Sequence, residues 1–383
     1  MHAVTLYHKV TPNGHCATVC SHKKGVLLAY YSGPECTDQQ HVHIKYMENI
    51  GPSKGYVIDR ESPHHELPNR TGNCVLIPNK EDSAVLIFSF FMDSNGPEQP
   101  KSPVERWRFC SNWKTQISIS DNIGASQSPK ITDTDPNRIL IGNTSALGLQ
   151  PEIGILARCS PIKSGSNRFN HWLLPLYTEH DCFGIVAASY NGWNWETRGY
   201  IGATNKTINN RFGSGILIQP TIWSDGDLLK SLSRDITQNH RAWYSESGGD
   251  GRKWSTPIKT ELWNMNNSLV AIPIKKSTWV VWNHGPNRTQ LMLGKWDQKR
   301  LNAIPTLQLN DPRNDGTCYA SYPNYCFDTQ NRLHIVHTDC GQIAHHIIDQ
   351  EMLDYLETIP EGMLRSALVD WEGQGRRDPE WVV

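Results

Sequence analysis

Apolar residues are scarce in this chain: 38% of its 383 residues are hydrophobic, below the usual globular share. No run is long enough to cross a bilayer as a helix, and the opening MHAVTLYHKVTPNGHCATVC lacks a charged head followed by an apolar core. The expectation is a chain with no signal peptide and no membrane span, cytoplasmic or virus-encoded unless exported by a route the sequence does not display. Net charge is also nearly absent, with Lys plus Arg at 37 against Asp plus Glu at 38. That excludes the broad basic field that draws a protein onto nucleic acid, so recognition of an anion has to be local. The ten cysteines include no CxxC pair and no zinc-finger spacing, and no EF-hand run occurs. No cofactor and no metal site are read, and the thiols are expected to be mainly buried and free. Nothing in the sequence speaks to oligomeric state.

What the chain has is turn formers and tryptophan: Gly 29, Pro 23 and Trp 14. Short apolar or alternating runs recur between turns, among them GVLLAYYSG, HVHIKYM, CVLIPN, AVLIFSFFMD, HWLLPLY, FGIVAASYNGWNW, GILIQPTIW, LVAIPI, TWVVWNHG and RLHIVHTD. They are too short for helices and end in Gly, Pro, Asn or Asp, as strands of a repeated sheet do. No linker or composition break divides them. The fold class expected is therefore all-β, a β-propeller forming a single domain over residues 1–383. At about four strands and roughly 40 to 60 residues per blade, the length suits six blades. Only residues 349–370, DQEMLDYLETIPEGMLRSALVD, space their apolar residues like helix and are expected as a tail packed on the outside.

Two turns resemble degenerate Asp boxes, the Ser-x-Asp-x-Gly-x-Thr-Trp hairpins of sialidase-type propellers. One runs from Ser189 through Asn191-Gly192 to Trp195, the other from Ser245 to Trp254. A polar side chain ties such a turn while Trp packs between strands, which is a structural role. Longer segments follow in a family order. His15-Cys-Ala-Thr-Val precedes Gly25 to Glu35 and Asp38; then come Gly72-Asn73, Arg158-Cys-Ser-Pro and Leu173 to Tyr177. Ile218-Gln-Pro220, Ser233-Arg234, the Asn264 to Asn267 cluster, Asn283 with Arg288, and Ser321-Tyr322-Pro323 ahead of Leu333 to Thr338 complete the series. In that order, from His15 to Thr338, the chain resembles the BNR-repeat sialidase-like, or predicted neuraminidase, family.

The resemblance implies a site for an acidic sugar. Arg158, Arg234 and Arg288 become its carboxylate holders, because a guanidinium fork donates parallel charge-assisted bonds that lysine cannot copy. Tyr322 matches the family's tyrosine nucleophile, a phenol that approaches a carboxylate-bearing sugar without a formal negative charge. Asp38, with Glu35 as its alternative, becomes the general acid. The pattern departs from bacterial sialidases at two places: Gln219 stands where the tyrosine's glutamate base is usual, with Glu179 a possible substitute, and His15 lies in the stretch that normally supplies the first arginine. Trp107, Trp113 and Trp193 are candidates to line the pocket.

The activity implied is an exo-acting glycoside hydrolase removing terminal sialic acid or a related acidic sugar, with an acidic glycan or sialoside as partner. A carbohydrate-binding or host-recognition propeller that has lost part of the catalytic set is the alternative favoured by Gln219 and the missing arginine. A uronate polysaccharide lyase using His171, His334 or His337 is a third reading, in which His or Tyr removes a proton beside a carboxylate neutralised by Arg.

Overall fold

The computed structural model describes residues 6–11, 13–22, 25–33, 39–49, 56–58, 65–66, 71–79, 83–91, 113–121, 130–133, 155–164, 171–178, 182–192, 195–202, 216–237, 240–285, 287–310 and 318–358. Among the described residues the chain is an all-β propeller with one short C-terminal helix. Strand β1 (Leu6–Thr11) comes first in sequence but completes the last sheet. The meander then runs β2 (His15–His22), β3 (Gly25–Ser32), β4 (His41–Asn49) and β5 (Tyr56–Ile58), with β6 (His65–Glu66) also on β4. Next are β7 (Thr71–Asn79), β8 (Ser83–Phe91), β9 (Trp113–Asp121) and β10 (Lys130–Asp133). The third meander opens on a split strand, β11 (Ile155–Ala157) and β12 (Ile162–Lys163), before β13 (Trp172–Thr178), β14 (Gly184–Ser189) and β15 (Glu196–Ile201).

Three more sheets follow. They are β16 (Leu217–Asp225), β17 (Leu228–Asp235), β18 (Arg241–Gly248) and β19 (Ile258–Trp263); then β20 (Val270–Ile274), β21 (Ser277–Asn283), β22 (Leu291–Asp297) and β23 (Asn302–Gln308). The last holds β24 (Ala320–Phe327), β25 (Leu333–Asp339) and β26 (Gln342–Ile348), with β1 on β26. Every pairing among the described residues is antiparallel, and each apolar run singled out in the sequence overlaps a strand. Full alternation is lost in the middle strands because both faces meet neighbouring sheets: Gly25 to Tyr31 and Leu333 to Asp339 are buried throughout.

The sheets close on themselves. The first strand of each meander packs on its neighbours, β2 on both β24 and β7, β7 on β11, β16 on β12 and β20, and β20 on β24. Between sheets lie the apolar layers. Leu27, Ala29 and Ile44 meet Leu76 and Leu86; Val75 and Ile87 meet Leu174 and Phe183. Trp223 and Leu232 meet Ala271 and Trp282, and Val19, Val26 and Leu28 meet Val336 and Ile343. Each Val, Leu, Ile or Phe among them contributes roughly 1.5–3 kcal/mol by leaving water. Closure is by β1, whose register runs from Leu6 opposite Ile347 to Thr11 opposite Ile343.

Helix α1 (Gln350–Thr358) begins where Asp349 accepts from Met352 N at 2.8 Å, an N-cap bond. It buries Leu353 and Leu356 against β20–β22 and β24–β26, and Glu357 accepts from Trp279 Nε1 at 2.9 Å and Ser277 Oγ at 2.7 Å. The described helix ends at Thr358; the remainder of the 349–370 expectation lies outside the described residues.

Both suspected Asp-box turns join the third and fourth strands of their sheets. Ser189 Oγ accepts from Gly192 N at 2.9 Å, and Trp195 Nε1 donates to Gly192 O at 3.0 Å. In the second turn Trp254 Nε1 repeats that bond to Gly251 O at 2.9 Å, and it is Ser247 rather than Ser245 that pairs with Trp254.

Candidate active site

In a ring of meanders the first strands run alongside one another, so their starts share one end of the molecule with the ends of the second strands. The Asp-box turns occupy the opposite end. At the first end the inner strands are irregular in a repeated way. Register slips occur between His15 and Thr18, Gly72 and Cys74, Ile218 and Thr221, and Ser321 and Asn324. Each slip is a bulge that inserts one residue and re-aims a side chain. Cys16, Gln219 and Tyr322 sit in these bulges at φ of 49°, 50° and 57°, and Asn266 just before β20 has φ 48°. Non-glycine residues hold such angles at a cost of order 1–3 kcal/mol, repaid only where surroundings fix them. Pro220 and Pro323 follow two of the bulges, where a missing N–H is tolerated.

In the third sheet the inner strand breaks instead of bulging, and Arg158 to Pro161 leave the ladder. Arg158 is only 1% exposed. Its Nη1 donates to Ala17 O at 3.2 Å, and its Nη2 donates to Tyr322 O and, at 3.4 Å, to Pro323 O. Asn324 Nδ2 returns a bond to Arg158 O at 3.2 Å, and Ser160 Oγ donates to Asn324 Oδ1. The segment thus spans from its own sheet to the sheet carrying Tyr322, with the guanidinium carbon 5.4 Å from the Tyr322 ring centroid. Arg158 supports the tyrosine from behind rather than standing open beside it.

Arg234 and Arg288 clasp one residue from two sides. Arg234 Nε donates to Asn266 Oδ1 at 2.7 Å and Nη1 to Gln219 Oε1 at 2.8 Å; Arg288 Nε donates to Met265 O at 3.3 Å and Nη2 to Asn266 O. All their acceptors are neutral amides or carbonyls, and among the described residues no carboxylate pairs with Arg158, Arg234 or Arg288. Arg288 O also accepts from Ala320 N at 2.8 Å, tying this pair to the strand of Tyr322. Gln219 Nε2 and Asn73 Nδ2 both donate to the Tyr177 hydroxyl, at 3.2 and 3.1 Å. Asn283 Nδ2 donates to Ala320 O at 2.8 Å and its Oδ1 accepts from Asn267 Nδ2.

His15 joins Tyr322. Their rings meet edge to face with centroids 4.7 Å apart, and His15 Nδ1 lies 3.1 Å from Thr338 Oγ1, which also accepts from Cys16 N at 3.1 Å. The buried thiols of Cys159 and Cys74 keep their protons: burial pushes Cys159 up to about 11 and Cys74 up to about 12, the Arg158 charge opposing it in both.

Tyr322, Arg158, Arg234 and Arg288 therefore form one connected group. Asp38, Glu35 and Glu179 lie outside the described residues, as do Trp107 and Trp193; Trp113 opens β9. Sequence reasoning did not assign site roles to Tyr177, Asn73, Asn266 or Thr338; their signal was a polar side chain at a strand end or bulge. His334 and His337 have partners inside the last sheet. His334 Nδ1 lies 2.8 Å from His345 Nε2 and its Nε2 3.2 Å from Asp328 Oδ2, while His337 Nε2 lies 3.0 Å from His346 Nε2. His171 is buried beside Tyr190.

The fold has known counterparts. A Trypanosoma rangeli sialidase superposes with a TM-score of 0.53 at 13% identity, covering 94% of this chain and 57% of the sialidase, so the chain spans little more than half that protein's length. The intramolecular trans-sialidase from Ruminococcus gnavus, in complex with oseltamivir carboxylate, gives 0.57 at 9% identity, covering 90% of this chain and 96% of the other. A protein of unknown function from Dyadobacter fermentans gives 0.58 at 11%, covering 91% and 98%. No curated protein matches by sequence. The family model described as BNR repeat-like domain matches residues 25–335, from the second strand of the first meander into β25, and on that span the chain belongs to the BNR-repeat sialidase-like family.

Proposed function

We propose that the chain binds the carboxylate of a terminal sialic acid or a related acidic sugar and hydrolyses its glycosidic bond through Tyr322. The observation that carries this reading is the pair Arg234 and Arg288, converging on Asn266 with only neutral partners among the described residues. Two guanidinium groups beside one another, with no carboxylate partner among the described residues, call for an anion, and a planar carboxylate fits their forks. Tyr322, bulged and backed by Arg158, lies along the same strand start. Asp38 or Glu35, in the connection between β3 and β4, supplies the leaving-group proton, and Glu179, directly after β13, is the carboxylate next in sequence to Tyr177. The six sheets of the topology are read as six blades of one domain over residues 1–383.

The complex of the Ruminococcus gnavus protein with oseltamivir carboxylate is in keeping with a carboxylate ligand on this fold. A second reading, binding without turnover, is favoured by Gln219: its amide has no basic lone pair to take a proton from a phenol, and it is already engaged by Arg234 and Tyr177. Release of a fluorophore from a sialoside separates the two. Turnover by the wild-type chain, lost by at least about a hundredfold in Tyr322→Phe with binding retained, is expected for the hydrolase. Tight binding with no turnover by the wild type assigns the chain to recognition, and turnover unchanged in Tyr322→Phe removes the tyrosine from the chemistry.

A further inference from the structure

Two thiols meet at the same end of the propeller. Cys340 is the first residue of the two-residue turn between β25 and β26, at φ 53°, with Gly341 following at 76°. Both central residues of such a hairpin turn take positive φ, a position that Asn, Asp and Gly fill at least cost. Cysteine there is a local departure from turn chemistry, and departures of this kind concentrate at functional positions. The turn is also held from two sides: Cys340 N donates to Tyr319 O at 3.0 Å, and Gly341 O accepts from Gly14 N at 2.8 Å.

Cys318 precedes Tyr319, whose carbonyl takes the Cys340 N–H at 3.0 Å, and Ala320 stands opposite Asp339, so the two cysteines lie on facing segments with the Cys318 thiol close enough to raise the proton affinity of Cys340. Cys340 is exposed and Cys318 half-buried, whereas Cys16, Cys20, Cys74, Cys159 and Cys182 are buried. Cys340 Sγ also lies 3.5 Å from Asp339 Oδ1. Its part-buried sulfur, first, and then the contact with Cys318 and the Asp339 charge push the Cys340 thiol up to about 12. Cys340 thus keeps its proton and suits the role of resolving thiol rather than first attacker.

We propose that Cys318 and Cys340 are a redox-active dithiol that closes to a disulfide on meeting a peroxide, stapling the β25–β26 turn to the segment leading into β24. The Cys318 sulfur attacks the peroxide O–O bond and forms a sulfenic acid, while its own proton passes to the leaving oxygen, which departs as water or an alcohol. The Cys340 sulfur then attacks the sulfenic sulfur; the S–S bond forms, the S–O bond breaks, and hydroxide takes up the Cys340 proton, by way of the Asp339 carboxylate, to leave as water. Two thiols are oxidised and one peroxide is reduced to two waters, or to water and an alcohol. The turn touches Gly14, next to His15, and Tyr319, three residues before Tyr322, so closing the bond fixes the two sides that bring His15 to Tyr322. The pairing itself does not depend on what the site binds.

The test is a non-reducing peptide map of the full chain after reduction, desalting and exposure to hydrogen peroxide. Expected is one intramolecular cross-linked peptide pair joining Cys318 to Cys340, lighter by two hydrogens and reopened by dithiothreitol, with the buried cysteines still reduced. In Cys340→Ser, a dimedone adduct should collect on Cys318. Oxidation of Cys340 to sulfinic or sulfonic acid without cross-linking, a link to another cysteine, or a link between two chains would overturn the proposal. The wild-type map decides it even where the variant folds poorly.

Discussion

Arg234 keeps its charge available because both of its side-chain partners are amide oxygens. Gln219 is the pivotal one: its oxygen takes Arg234 Nη1 while its nitrogen reaches Tyr177. Replacing it by glutamate changes one atom's chemistry and little of its shape. In Gln219→Glu the new carboxylate pairs with Arg234, and an incoming sugar carboxylate meets a neutralised group. Affinity for a sialoside should fall by roughly fivefold to thirtyfold, about 1–2 kcal/mol, with the thermal midpoint unchanged or raised. Calorimetric titration measures this directly, and unaltered affinity would take Arg234 out of the ligand site.

At the scale of the element, bulges and close approaches decide more than propensity does. Gly294 illustrates it: a β-carbon there would stand 2.2 Å from Ile304 O and 2.8 Å from Trp282, at the slip where β22 meets β23. Gly294→Ala must push two strands apart inside a packed sheet and should cost at least about 2 kcal/mol in chemical denaturation; a loss under a few tenths would mean the strands separate freely. The strands themselves were legible, since each apolar run ends at a turn former. So was the turn of Ser189 and Trp195, whose bonds need only local residues. In the second turn the backbone bridge to Trp254 comes from Ser247, two residues after the Ser245 that opens the motif, because spacing alone does not say which serine stands opposite the Trp. The bulges at Gln219 and Tyr322 were not legible: a slip exists only relative to a partner strand. For the same reason Arg158 could be counted among anion holders from the sequence, whereas its burial against Ala17 and Tyr322, distant in the chain, follows from the ring.

At the scale of the whole molecule, the ring is only as secure as its closing sheet, which joins β1 to β26, β25 and β24. That sheet contains buried His334, His337, His345 and His346, stacked in two pairs with ring centroids 5.0 and 5.1 Å apart. In each pair one ring nitrogen must accept a hydrogen bond from the other ring, so a further proton breaks the bond as well as charging a buried group. Burial, the largest influence, lowers the affinity of His334 and His337 for protons, against the opposing pull of Asp328 on His334 and of Asp339 on His337. The unfolded chain, with histidines near 6.5, therefore binds protons that the folded chain refuses. Stability is complete above that value and is lost as the pH falls below it, each unit of difference being worth about 1.4 kcal/mol per histidine. The midpoint of thermal unfolding should thus drop from about pH 7.5 to about pH 5, and the drop should flatten in a His334→Gln, His337→Gln double variant even though that variant starts lower. Because neighbouring sheets share their apolar layers, loss of the closing sheet should appear as one cooperative transition; a midpoint constant across this window would show that the four histidines do not govern closure.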